Sequence, residues 1–190
     1  MLHIIKDKDP IWDTDNYDVI LLGTNIYCML GNGFQNKLKN KYPKIEEIND
    51  KTNYGDRRKL GKRITIEGEP VISLLYICNY PNKKWASIDY DALENAMATA
   101  NVEFKGKKVM TTMLGTTIFD GNGDREKVME ILENNCSGMD LYVYDYNQLN
   151  KKDEIGAYVN KIKALYKAEP EKYKQLWKSK DEVLKEMFLK

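Results

Sequence analysis

The stretch that most constrains this chain is Tyr17 to Thr24, Tyr-Asp-Val-Ile-Leu-Leu-Gly-Thr. A short, near-continuous apolar run of this kind suits a central strand covered on both faces, not a half-exposed one. Such a strand requires helices on both sides of its sheet, and the flanking sequence supplies them. Gly33 to Tyr42 reads as a helix stopped by Pro43, and Lys44 to Lys51 as a second short one. Asp89 is an N-cap for a helix over 90–103 with Leu93, Ala96, Met97 and Ala100 on one face. Asp124 opens another, striped by Val128, Ile131 and Leu132. Leu2 to Lys6, Arg63 to Glu67, Val71 to Ile77, Lys108 to Leu114 and Leu141 to Tyr146 read as strands. Tyr54-Gly55-Asp56 and Leu60-Gly61 are turns. Strands interleaved with helices predict a three-layer α/β/α domain with a mixed or mainly parallel sheet over residues 1–147.

From residue 148 to 190 the pattern becomes helical. Ile155, Tyr158, Val159, Ile162, Leu165 and Tyr166 recur at three- and four-residue steps. After Pro170, Tyr173, Leu176, Trp177, Leu184, Met187 and Phe188 form a second stripe. The expectation is a C-terminal extension docked on the core as cover. The alternative is an arm that meets a partner, with its lysines outward.

Composition removes several function classes. Residues 151–190 carry 11 lysines against 7 acids, leaving 19 basic and 22 acidic residues in the first 150. A core of that sign has no global attraction for nucleic acid, so sequence-specific nucleic-acid binding is not expected. Cys28, Cys78 and Cys136 are widely spaced with no CxxC pair, which speaks against a disulfide scaffold and a zinc site. No metal or cofactor is called for. His3, the single histidine, reads as an ordinary strand residue, which argues against a Ser-His-Asp or Cys-His hydrolase. No apolar run is long enough to span a bilayer, and Met1 to Asp7 does not have the form of a secretory signal. The expected setting is cytoplasmic.

Two loops have the makeup to carry chemistry. The first follows the central strand and runs from Gly23 through Asn25 to Gly31-Asn32-Gly33-Phe34. Glycines just before a helix let a phosphate approach the backbone, where unpaired N–H groups and the positive end of the helix dipole await it. Asn25 can donate to and accept from a sugar hydroxyl. The second loop, Gly115-Thr116-Thr117-Ile118-Phe119-Asp120-Gly121-Asn122-Gly123-Asp124, also runs into a helix start and can form an anion nest. Two such loops at neighbouring strand ends would suit a pyrophosphate. No Gly-Lys-Ser/Thr follows for a Walker A loop, and Gly31-Asn32-Gly33-Phe34-Gln35-Asn36 lacks the third glycine of a Rossmann turn.

These residues resemble a known family. Asn25-x-x-Cys28-x-Leu30-Gly31-x-Gly33, followed by a helix ending Lys41-Tyr42-Pro43, resembles the first ligand loop of macro domains. The bacterial and phage branch and the ADP-ribose-1″-phosphate phosphatase-like members are the most similar. Tyr54-Gly55-Asp56 with Lys59-Leu60-Gly61, Asp89-Tyr90-Asp91-Ala92-Leu93 and Gly115-Thr116-Thr117-Ile118-Phe119 resemble that branch's later segments, in order, across about 1–147. The resemblance implies an ADP-ribose site. In it Asn25 contacts the distal ribose, Gly31, Asn32 and Gly33 line the diphosphate and distal ribose, and Gly115, Thr116, Thr117, Ile118 and Phe119 hold the other side. Phe119 packs on the distal ribose. An acid after the first strand accepts from the adenine amino group, with Asp9 the candidate and Asp7 the alternative.

The departures are specific. Thr117 stands where a glycine is usual, and Leu30 replaces a common methionine. In the branch that uses a lysine and an aspartate, the aspartate's place is taken by Phe119, with Asp120 one residue later. The lysine's place is taken by Cys78 or Asn79, with Lys83 and Lys84 further on. A Schiff-base mechanism needs its lysine at the sugar C1, so that mechanism is not expected. Three readings follow. One is hydrolysis of an ADP-ribosyl ester or ADP-ribose-1″-phosphate, with Asn25 orienting ribose or water and Asp120 as general base. Another is a non-catalytic reader of ADP-ribose, a related nucleotide or an ADP-ribosylated macromolecule. The last is a scaffold whose loops bind nothing.

Overall fold

The computed structural model describes residues 1–6, 8–31, 33–79, 88–116, 121–145, 151–175 and 177–178, with backbone alone at 151–158 and 161. Six strands form one sheet: β1 (Leu2–Lys6), β2 (Val19–Asn25), β3 (Arg63–Ile66), β4 (Val71–Cys78), β5 (Lys108–Thr112) and β6 (Asp140–Asp145). Their order is β1-β6-β5-β2-β4-β3, all neighbours parallel except the β3–β4 pair. The sheet is therefore mixed, with its antiparallel strand at one edge.

Every residue of β2 is buried, as its apolar run requires. Successive side chains point to opposite faces, so the strand feeds two cores. Val19 and Leu21 join Leu75 and Ile77 of β4 beneath helices α3 (Tyr90–Glu103) and α4 (Arg125–Asn134). Ile20 and Leu22 join Leu74 and Ile72 beneath α1 (Phe34–Lys41) and α2 (Lys44–Asp50). Asp89 caps α3 by accepting from the Ala92 N–H, and Asp124 caps α4 by accepting from those of Glu126 and Lys127. Both caps satisfy donors that a helix start leaves orphaned.

A 3-10 turn over Pro10–Asn16 covers the same face as α1. Asp9 caps it by accepting from the Ile11 N–H, and Pro10 occupies its first position, where a missing N–H costs nothing. A second 3-10 turn, Arg57–Lys59, precedes β3.

α5 (Lys151–Ala168) and a further helical segment over 170–175 follow the sheet. They dock through Ile162 and Tyr173, which are buried. Tyr173 lies edge-on to Tyr54, whose hydroxyl donates to the Lys172 carbonyl at 3.3 Å. Leu176, Leu184, Met187 and Phe188 lie outside the described residues, as do the side chains of Ile155 and Tyr158. Among the described residues no helix is long and apolar enough to cross a membrane.

Candidate functional site

After β2 the chain builds β3 and β4 on one side of it in the sheet, and after β5 it builds β6 on the other, between β5 and β1. This reversal of strand order is where α/β sheets open a crevice beyond their carboxyl ends. The opening is visible in the register: β2 and β5 pair at Val19–Val109 and Ile20–Met110 and no further. Above that point the strands are joined by a side chain, Thr111 Oγ1 donating to the Leu21 carbonyl at 3.0 Å. The first loop leaves β2 for α1 on one face, and the second leaves β5 for α4 on the other. Gly23 keeps their bases close. A Cβ there would sit 3.0 Å from Ile77 Cδ1 and 3.2 Å from Leu114 Cδ2.

The β2–β4 register shifts between Thr24 and Asn25, which turns Asn25 into the loop. Its carboxamide is engaged within that loop. Oδ1 accepts from the Tyr27 N–H at 3.0 Å and the Met29 N–H at 3.2 Å, and Nδ2 donates to the Met29 carbonyl at 2.6 Å. Asn25 is 5% exposed. The side chain expected to meet a ribose thus shapes the loop from within.

Gln35, absent from the sequence-based site, does comparable work. From the first turn of α1 its Oε1 accepts the Gly31 N–H, and its Nε2 donates to the Gly23 carbonyl at 2.6 Å. Gly31 was expected to line the diphosphate and distal ribose; its N–H is held by Gln35. The available signal was a polar residue four positions after Gly31, on a helix face otherwise turned to the core.

Gly33 is the N-cap of α1 and provides no side-chain cap, so the first N–H groups of this helix have no side-chain acceptor from that position. A Cβ placed on Gly33 would meet no heavy atom within 4 Å. The start of α1 therefore carries the positive end of its dipole with no cap from Gly33. The start of α4 differs. Asp124 places a carboxylate on its first N–H groups at 2.9 and 3.0 Å, which closes that helix start to a second anion.

The second loop folds back on itself instead. Gly123 N–H donates to the Gly115 carbonyl at 2.8 Å, and Thr116 donates from its hydroxyl to the Met113 carbonyl at 2.8 Å. Gly121 needs its missing side chain. Its φ is +128°, and a Cβ would fall 2.9 Å from Cys78 Sγ and 3.0 Å from Ile88 N, too close for a real contact. Gly115 and Thr116 follow the β5 end, directly after Leu114, the residue that packs against Gly23. Asn32, Thr117, Ile118, Phe119 and Asp120 lie outside the described residues, as do Asp7, Lys83 and Lys84.

Asp9 sits against the first loop's helix, with Oδ2 paired to Lys37 of α1 and Oδ1 accepting from the Ile11 N–H. Its side chain is 15% exposed. On the far side of the first loop, the Tyr76 hydroxyl donates to Asn49 Oδ1 at 3.0 Å. Burial pushes that phenol up to about 12, so it stays neutral. Among the described residues no three His, Cys, Asp or Glu side chains come together in a way that could hold a metal ion, and the three cysteines form no disulfide with one another. His3 is a strand residue, paired with Asp140 at 2.8 Å and stacked on Tyr142.

No protein-family model matches the sequence, and no curated protein matches it either. Solved structures do. The macrodomain of Mycobacterium tuberculosis DarG superposes with a TM-score of 0.58 at 16% identity, covering 77% of this chain and 100% of its own. This chain has the macrodomain fold. Thermosipho africanus DarTG, solved in complex with ADP-ribose, gives a TM-score of 0.61 at 11% identity over 78% of this chain and 42% of its own. The Trypanosoma brucei macrodomain, solved in complex with ADP, gives 0.57 at 13% over 83% and 66%. At such identities the macrodomain likeness is one of backbone architecture, and site chemistry has to be argued from the residues present.

Proposed function

We propose that this macrodomain binds ADP-ribose, or another nucleotide containing ADP, in the crevice between β2 and β5. The observation that carries the reading is the parting of these strands above Ile20 and Met110 beside an α1 start that no N-cap side chain covers. A diphosphate needs converging main-chain donors and a positive dipole end, and needs no lysine if it has both. Gly33 provides the approach, and Gly115 and Thr116 are assigned to the opposite wall. Asn32, Thr117, Ile118 and Phe119 are assigned to the same ligand by their place in the motif. Asp9 is assigned to the adenine amino group by its place after β1, where Lys37 holds its carboxylate against α1. The same-fold structures of Thermosipho africanus and Trypanosoma brucei were solved with ADP-ribose and ADP, which supports this ligand class.

Binding is favoured over turnover by the state of Asn25. Its amide makes three bonds inside its own loop, a role that shapes a wall and does not orient an attacking water. The test is thermal unfolding with ADP-ribose. At a hundredfold excess over Kd a ligand adds about 2.7 kcal/mol, a rise of roughly 5 to 10 °C for a chain of this size. No shift at millimolar ADP-ribose would remove the proposal. Incubation with ADP-ribose-1″-phosphate and with an ADP-ribosylated peptide should leave both intact. Turnover that Asp120→Ala abolishes would put the hydrolytic reading in its place.

A further inference from the structure

Cys28 lies in the first loop, between Asn25 and Gly31, in a left-handed backbone conformation with φ +58°. Its Sγ is 3.3 Å from Lys59 Nζ, on the 3-10 turn before β3. Thr52 Oγ1 touches both, 3.1 Å from the sulfur and 2.9 Å from the nitrogen. The partners of Lys59 among the described residues are neutral groups: this thiol, this hydroxyl and the face of Tyr76, whose centroid is 4.8 Å from Nζ. A cavity of about 300 Å³ lined in part by Lys59, Thr52 and Tyr76 opens on the lysine side of the pair, and Cys28 itself is only half-buried. A small neutral oxidant can therefore reach it.

We propose that Cys28 and Lys59 form an oxidative side-chain cross-link, with an oxygen atom bridging Sγ and Nζ, when the protein meets hydrogen peroxide. In the first step the sulfur attacks one peroxide oxygen. An S–O bond forms, the O–O bond breaks, and the thiol becomes a sulfenic acid with loss of water. In the second step the sulfenic oxygen joins the neutral lysine amine. The two protons and two electrons released reduce a second peroxide to two waters. In sum, a thiol, an amine and two molecules of peroxide give the S–O–N link and three molecules of water. The geometry selects this product over a direct S–N bond, because an intervening oxygen keeps the two atoms near their present separation. Thr52, in contact with both groups, is placed to pass a proton between them. The link tethers the first loop to the turn that precedes β3.

The experiment is peroxide treatment of the whole chain followed by intact-mass and tryptic peptide analysis. The expected product has gained one oxygen and lost two hydrogens, reverts with dithiothreitol, and yields a joined peptide carrying Cys28 and an uncleaved Lys59. Lys59→Arg, which keeps the cation but has no primary amine, should give no adduct, and Cys28 should run on to sulfinic and sulfonic acids. Lys59→Gln should behave the same way and serves if Lys59→Arg does not fold, as checked by circular dichroism. Conversion of wild-type Cys28 to sulfinic acid with Lys59 still cleaved would overturn the proposal. So would the same reversible adduct in either lysine variant.

Discussion

Gln35→Ala tests the account of the first loop most directly. Gln35 is 7% exposed and holds two backbone groups from opposite ends of that loop, the Gly31 N–H and the Gly23 carbonyl. Truncation leaves both without this partner in a buried place. Each orphaned group costs about 1 to 3 kcal/mol, and a water entering the vacated space recovers part of that. The expected loss is therefore about 3 kcal/mol, a fall in melting temperature of roughly 6 to 12 °C. Gln35→Glu separates the two bonds. Its carboxylate still accepts from Gly31 but faces the Gly23 carbonyl with no proton, so the folded state raises the pKa of this group. A carboxyl with a raised folded pKa is penalised above its unfolded value near 4.3, and the penalty grows as pH rises through the folded value. The Gln35→Glu deficit should accordingly be large at neutral pH and shrink toward pH 4. The assay is circular-dichroism melting of the parent and both variants at several pH values. An Ala variant melting with the parent, or a Glu variant whose deficit is flat with pH, would refute the claim that Gln35 braces the loop.

Other outcomes follow from the same coordinates. Asp13 accepts from Lys8 and from the Tyr144 hydroxyl, both at 2.6 Å. Burial pushes its carboxyl up, but these two hydrogen bonds and the charges of Lys8 and Lys108 outweigh it and hold the group below its ordinary value. A lowered folded pKa gives stability that is present above the unfolded value and lost as pH falls through the folded one. Denaturant titrations from pH 6 down to pH 3 should therefore show a steeper loss in the parent than in Asp13→Asn, and parallel curves would contradict this. Gly121→Ala should cost about 2 to 4 kcal/mol, since positive φ and overpacking add. Gly106→Ala, at φ +74° with nothing within 4 Å of a Cβ, should cost about 1 to 2; equal urea midpoints would show that the close approach to Cys78 and Ile88 is unimportant. Tyr173→Ala removes the buried contact with Tyr54 and should speed tryptic cleavage around 167–174, whereas an unchanged digestion rate would mean the extension is held elsewhere.

The layer plan was legible because it rests on local chemistry. Tyr17 to Thr24 had the apolar continuity of a doubly covered strand, and β2 is buried throughout. Asp89 and Asp124 had the short acceptors a helix start needs, and both cap as expected. The 3-10 turn over Pro10–Asn16 went unread, although Asp9-Pro10 carries its signal, because a seven-residue segment shows too little periodicity to register. The strand limits moved by a residue or two, as with β5 ending at Thr112 and not Leu114, because β-ladder ends depend on the neighbour's register.

By itself, then, the order of residues determined which segments are buried, which loops can bend toward an anion, and that helices lie on both sides of a sheet. Tertiary structure alone decided what those loops do with their polar groups. Asn25 turns inward to Met29, Gly31 donates to Gln35, and Asp124 closes α4 while the start of α1 stays uncapped by Gly33. The physical reason is that periodicity records only whether a side chain meets water or core. A hydrogen-bond partner is chosen by angles and distances between groups that the chain brings together late, such as Cys28 and Lys59, 31 residues apart in sequence and 3.3 Å apart in space.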